Sequence, residues 1–185
     1  MKNKGFFLIL ILVVACLAPA TAKADVVGTL ELTSPFSKSY VANTDFATFV
    51  DNNFFGSVTA PIQLVPGLGY DADFANFVPG RIALIQRGTI YFSDKVNNAW
   101  EAGAVGALIF DPIDQPLSLS VTLQDPTNIP SLFVSHSVGE ELVDLWAASG
   151  ATVHLAVTNA VPEPATMLLL GLGLVGLAGV RRVKK

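Results

Sequence analysis

From residue 81 onward, apolar and polar positions fall into two alternating kinds of block. "RIALIQRG", residues 81–88, has a continuous apolar centre closed by glycine, the pattern of a buried strand. "FSDKVNNAWEAGA" follows, and Phe92, Val96, Ala99, Trp100 and Gly103 recur at spacings of three and four. That spacing predicts a helix with these residues inward, capped at Ser93 or just before it and ended by Gly103 in the left-handed conformation. "VGALIFD" and "IPSLFVS" read as two more buried strands. Ser137-Val138-Gly139-Glu140 then fits a capping box, and a helix runs from it to about Ser149 with Val138, Leu142, Leu145 and Trp146 inward. Gly150 ends it, and "ATVHLAVT" is a final strand. Strand, helix, strand, loop, strand, helix, strand is the order of an α/β sheet with helices packed on it.

The preceding part of the chain is less regular. Residues 26–32, "VVGTLEL", alternate as a strand does, whereas residues 33–80 are rich in Asn, Asp, Ser, Gly and Pro. Loops and short strands are expected there, with apolar islands at 47–50 and 61–65. No internal repeat is found.

Both ends carry processing signals. Lys2 and Lys4 precede an apolar run, residues 6–17, and Ala22-Lys23-Ala24 has the small-x-small form of a signal-peptidase site. Residues 1–24 therefore read as a cleavable signal peptide, with Asp25 first in the mature chain. A competing exit signal, Val13-Val14-Ala15-Cys16, loosely fits a lipoprotein box in which Cys16 is lipidated. At the other end, residues 165–180 are apolar throughout and four cations follow: Arg181, Arg182, Lys184 and Lys185. As a helix this segment reaches about 24 Å against a hydrocarbon core of about 30 Å, so it spans as a transmembrane helix if the bilayer thins or its flanks snorkel. The cations would remain cytoplasmic. No G-x-x-x-G pair marks a dimerisation face.

Removing the two ends changes the charge. The formal net charge is -4, but residues 25–162 hold four cations (Lys38, Arg81, Arg87, Lys95) against 14 Asp and Glu, a net −10. Such a domain repels nucleic acid and anionic surfaces. Cys16 is the only cysteine, so cleavage at Asp25 would leave no disulfide, no thiol nucleophile and no thiolate metal site. About 135 residues remain, one domain with enough chain to bury a core.

The residues 80–111, "GRIALIQRGTIYFSDKVNNAWEAGAVGALIFD", resemble the protease-associated (PA) domain. Gly80, Ile82, Ala83, Leu84, Arg87 and Gly88 fit its strand and turn. Phe92, Lys95, Val96, Ala99, Ala102, Gly103, Ala104 and Gly106 fit its helix and next strand. "IPSLFVSHSVGEELVDL" resembles the second block of the family, and Asp73-Phe74 a looser upstream match, so the likeness covers residues 58–157 within a domain of 25–160. It implies an α/β fold, a β-sheet or open barrel with two to three flanking helices. Many members carry a cysteine after the R-G turn; here Thr89-Ile90-Tyr91 stand there, and the turn is expected to be held by packing alone. Gly88 is expected to permit the tight turn, and the alanines to let the helix lie close on the sheet. PA domains are non-catalytic modules that bind peptides or gate a site. The resemblance makes Arg87, Gly88, Tyr91 and His136 the candidate peptide contacts, with Arg87 equally readable as a structural salt bridge.

Catalytic and metal signatures are sparse. His136 has Ser135 and Ser137 beside it, but no G-x-S-x-G elbow occurs, and sequence neighbours rarely form a triad. His154 reads as a half-exposed strand residue. No H-E-x-x-H, EF-hand or phosphate-binding glycine loop is present. No metal or cofactor is expected, and enzymatic activity is not expected.

Val161-Pro162-Glu163-Pro164, the apolar helix and Arg181-Arg182 resemble the PEP-CTERM sorting signal, placing that signal at residues 161–185. This implies recognition and cleavage by an exosortase, as found in Gram-negative bacteria that make exopolysaccharide. The combined expectation is an exported protein, anchored in the inner membrane for a time and then released or displayed at the cell surface or in the matrix. There it would bind an unidentified protein or peptide. Two rivals are a hydrolase using His136 and a matrix protein whose Tyr40, Phe54, Phe55 and Tyr70 stack on sugars.

Overall fold

The computed structural model describes residues 25–160; the signal peptide and the sorting tail called from the sequence lie outside the described residues. Eight strands form one sheet. In chain order they are β1 (Asp25–Ser34), β2 (Lys38–Ser39), β3 (Phe46–Ala47), β4 (Gly56–Leu64), β5 (Ile82–Gln86), β6 (Gly106–Phe110), β7 (Ser131–Val134) and β8 (Thr152–Ala160). The helices are α1 (Phe92–Glu101) and α2 (His136–Ala148), with a short 3-10 turn at Asp71–Phe74. The spatial order is β2-β1-β8-β4-β5-β6-β7-β3.

Four of these strands, β4 to β7, run parallel with continuous register, Leu64 opposite Leu84, Leu84 opposite Leu108 and Leu108 opposite Leu132. The unbroken apolar runs that predict β5, β6 and β7 follow from burial on both faces. Ile82, Leu84, Leu108, Phe110, Leu132 and Val134 join one core with α2, while Ala83, Ile85, Ala107, Ile109 and Phe133 join a second with α1. The sheet is curled and open. A Cβ on Gly28 of β1 would lie 2.8 Å from Leu132 of β7 and 2.9 Å from Phe46 of β3, so the first strand comes round towards the far edge. This is the expected α/β open barrel, with two flanking helices among the described residues.

Several local expectations need correction. Trp100 is not inward but 47% exposed, because α1 buries a narrower face of Ser93, Lys95, Val96 and Ala99. The start of α1 is Tyr91, with no side-chain cap bond; Ser93 lies inside the helix and is buried. For α2 the cap is Ser135, whose oxygen accepts the Val138 N–H, so the helix begins two residues before the predicted box. Gly103 does end α1 with φ 87°. The expected 61–65 island is the second half of a nine-residue strand, β4, whose Pro61 and polar first half concealed it. Tyr40 is buried, its hydroxyl donating to Glu141 at 3.3 Å, which removes it from the proposed sugar-stacking set; Tyr70 and Phe55 are exposed. His154 is half-buried in β8 as expected, 2.8 Å through Nδ1 from the Thr59 hydroxyl.

Candidate functional site

Parallel strands deliver their carboxyl ends to one side of a sheet, and in open α/β sheets the ligand crevice forms there. At that end of this sheet stand Val65 after β4, Arg87 after β5, Asp111 after β6 and His136 after β7. A ladder continues past the strands: the Arg87 N–H donates to Phe110 O at 2.8 Å and the Asp111 N–H to Val134 O at 3.3 Å.

Asp111 is the hub. Its carboxylate accepts Arg87 Nη1 at 2.8 Å, Gln115 Nε2 at 2.7 Å and the Ile113 N–H at 3.2 Å. Burial works against its charged form, but the bonds from Gln115, Ile113 and Arg87, with the guanidinium charge, outweigh that and hold the carboxyl below its ordinary value. The main-chain carbonyl of Asp111 accepts His136 Nδ1 at 3.1 Å. A carbonyl can only accept, so Nδ1 carries a proton. The Arg87 guanidinium, its side chain 38% exposed, also lies 5.7 Å from the Phe133 ring centroid.

Two clefts open beside this hub. One, of about 320 Å³, is lined by Leu64, Val65, Gln86, Phe110, Glu140 and Val143 among others; the second, of about 280 Å³, by Arg87, Gly88, Asp111, Ile113 and Gln115, and Pro112 lies in both. Of the residues expected to touch a peptide, Arg87 and Gly88 line the second cleft, and His136 is tied to it through Asp111. Tyr91 lines neither cleft and stands 62% exposed at the start of α1.

The turn after β5 is not held by packing alone. Lys95 is fully buried in α1, and its ammonium donates to the carbonyls of Gln86, at 3.0 Å, and Leu68. Desolvation lowers its pKa to about 8, against a smaller upward pull from Asp73. One oxygen of Asp73 accepts the N–H groups of Leu68, Gly69 and Tyr70 at 2.9–3.0 Å, and Asn98 donates to Gly69 O at 2.9 Å. The loop before the 3-10 turn is thereby clipped to α1 and to the end of β5. Gly88 serves this packing: a Cβ there would meet Leu68 at 2.6 Å. Sequence reasoning missed Asp111, Gln115 and the role of Lys95. The signal available was a lone charged residue, three residues after Phe92, on the inward face of the helix.

A hydrogen-bonded Ser-His-Asp arrangement does not form among these residues. Ser135 caps α2, its hydroxyl lies 3.1 Å from that of Ser137, and His136 and Asp111 meet through a main-chain carbonyl. Among the described residues no cluster of three His, Cys, Asp or Glu is placed to hold a metal, and no helix is long and apolar enough to cross a membrane.

A curled half-barrel with a parallel centre and antiparallel flanks, helices on both faces and a clipped turn at its carboxyl edge define a small α/β module. Residues 56–142 match the family model of the PA domain, and residues 160–182 match that of the PEP-CTERM protein-sorting motif. The chain carries a PA domain followed by a PEP-CTERM sorting motif. An aminopeptidase of Pseudomonas aeruginosa is 43% identical over 94 residues, covering 45% of this chain and 17% of the enzyme. A C5a peptidase of Streptococcus pyogenes is 41% identical over 88 residues, covering 43% of this chain and 7% of the peptidase. Among solved structures, the aminopeptidase from Aneurinibacillus sp. strain AM-1 superposes with a TM-score of 0.59 at 31% identity, over 75% of this chain and 32% of its own. BSAP, a zinc aminopeptidase from Bacillus subtilis, shares the fold at TM-score 0.54 and 23% identity, over 76% of this chain and 35% of its own. The chain therefore spans a minor part of each relative's length. Its sorting motif marks it as an exported PA-domain module that an exosortase processes at the membrane.

Proposed function

We propose that this module is non-catalytic and binds a protein or peptide in the cleft at the carboxyl ends of β4 to β7, acting at the cell surface or in the exopolysaccharide matrix. The observation that carries the reading is the Arg87–Asp111–Gln115 cluster, fixed beside two adjoining clefts by a buried lysine and a capped helix. Preorganised polar groups beside an apolar-lined cleft suit a ligand whose main chain offers both donors and acceptors. Gln86 and Glu140 border one cleft and Arg87 and Gln115 the other, giving both kinds of partner.

The engagement of His136 with a main-chain carbonyl, and of Asp111 with Arg87, supports the absence of turnover. The activities of the named relatives belong to proteins of which this chain matches a small share. The test is a crosslinking capture from native surface extract with the full chain and with Arg87→Ala, alongside peptide and ester substrates. Capture lost in Arg87→Ala, with no turnover, supports the reading. Turnover abolished by His136→Ala would overturn it in favour of a hydrolase. Retention on polysaccharide without a protein partner would favour the matrix role.

A further inference from the structure

The opposite end of the sheet holds a second surface. β4 is nine residues long, but β5 joins it only from Ile62, where Ile62 faces Ile82. The first part of β4, from Gly56 to Pro61, pairs with β8 alone. The Ile62 N–H donates to Ala151 O, so even-numbered residues of β4 direct their main-chain groups to β8. The N–H and C=O of Ser57 and Thr59 therefore point the other way, about 7 Å apart along an edge that no strand among the described residues covers. Pro61 fits this arrangement, since its missing N–H falls on the open side.

Open edges invite pairing, and natural sheets blunt them. The two ends of this sheet, β2 and β3, are strands of two residues each. The edge of β4 has no such protection beyond Pro61, and no charge stands between Gly56 and Leu64. Beside it runs a groove of about 420 Å³, lined by Phe54, Val58, Trp100, Val105, Ile129 and Pro130 among others. The exposed Trp100, misplaced by helical periodicity, forms part of that lining.

The geometry points to a strand-addition site: an extended segment of a partner protein pairs with Ser57 and Thr59 of β4 and sets alternate apolar side chains into the groove. Charge selects the partner. The lining holds no ionised side chain, while residues 25–162 carry a net −10. A second copy brings the same charge and is repelled, whereas a segment with cationic flanks is attracted, and Trp100 offers a ring face to a cation. This site lies at the end of the strands remote from Arg87 and does not rest on the cleft reading.

The probe is a synthetic peptide of alternating valine and threonine with two lysines at each end, against a counterpart ending in glutamates. The full chain is titrated with each, and amide hydrogen exchange is followed. The lysine peptide is expected to bind, more weakly as salt rises, and to slow exchange at Ser57 and Thr59. Ser57→Pro, which removes one outward N–H and leaves the bonds to β8, should weaken binding by about tenfold or more while Arg87→Ala leaves it unchanged. If Ser57→Pro does not fold, exchange in the unmodified chain decides. Absent protection at Ser57 and Thr59, equal binding of the glutamate peptide, or a dimer broken by Ser57→Pro overturns the proposal.

Discussion

Asp111 and Lys95 each hold charge inside the fold with a folded-state pKa below the unfolded one, so each makes stability rise with pH, Asp111 in the acid range and Lys95 in the alkaline. The folded-state pKa of Asp111 lies below its unfolded value, so its contribution is complete above that unfolded value, near 4, and is lost as pH falls through the folded one. Arg87→Ala leaves that carboxylate, only 6% exposed, with Gln115 and the Ile113 amide alone. The guanidinium is partly solvated, which moderates the loss; a destabilisation of about 1–2 kcal/mol at pH 7 is expected, shrinking in acid. Urea midpoints of both proteins between pH 3 and 7 check this, and a pH-independent difference would refute the electrostatic account. Lys95 gives the same sign in the alkaline range, there because burial penalises its charged form. Its folded pKa of about 8 lies below the ordinary 10.5, so the unfolded chain binds the extra proton between those values and stability rises with pH through that window. The gain is on the order of 2 kcal/mol by pH 10. Above pH 10 it is opposed by Tyr40, whose pKa is pushed up by burial and by Glu141. Lys95→Met should flatten the rise between pH 8 and 10; an unchanged slope in urea midpoints would show that another group titrates.

At the scale of elements, the helices sit where glycine lets them. A Cβ on Gly139 of α2 would lie 2.5 Å from the Phe110 Cβ of β6, a clash between two backbones' first side-chain atoms that no rotamer relieves. Gly139→Ala is therefore expected to cost about 1–3 kcal/mol through displacement of α2. Gly150 ends that helix region with φ 78° and open space around it, so Gly150→Ala should cost only the left-handed penalty, about 1–2 kcal/mol. Thermal melts of the two variants, with near-ultraviolet dichroism reporting Trp146 packing, separate them: only the first should perturb the spectrum. The same contrast explains what the chain discloses before folding. β5, β6 and β7 are legible because burial on both faces demands unbroken apolar runs. α1 is legible as a helix, but its buried side is set by Lys95, which periodicity counts as polar, and Trp100 is left outside. Ser135 was hidden as a cap by the better-looking Ser137, since the choice depends on where β7 ends.

At the scale of the molecule, charge is partitioned by segment: cations in residues 1–24 and 181–185, mostly acids between. The fold was legible as a PA domain because most of its matching residues build core and turns. The site was half legible: Arg87 and Gly88 stand in the motif, but Asp111, 24 positions from Arg87, becomes its partner only through the register of β5 with β6. The unmatched β4 edge could not be read at all, since an open edge is a property of which strands fail to meet. Sorting is a separate matter, carried by residues 160–182, which match the PEP-CTERM motif. Pro162, Glu163 and Pro164 lie in the segment that matches the sorting motif, between β8 and the apolar run in sequence. Glu163 is the one charged residue between β8 and Arg181 in the sequence, and so the natural position to test. Glu163→Ala should then accumulate a full-length form in the membrane fraction while the domain keeps its fold. Immunoblots of membrane and medium from cells making each version are the measurement. Equal release of both into the medium would show that the glutamate is not read and that the apolar run with its terminal cations is a plain anchor cut by another route.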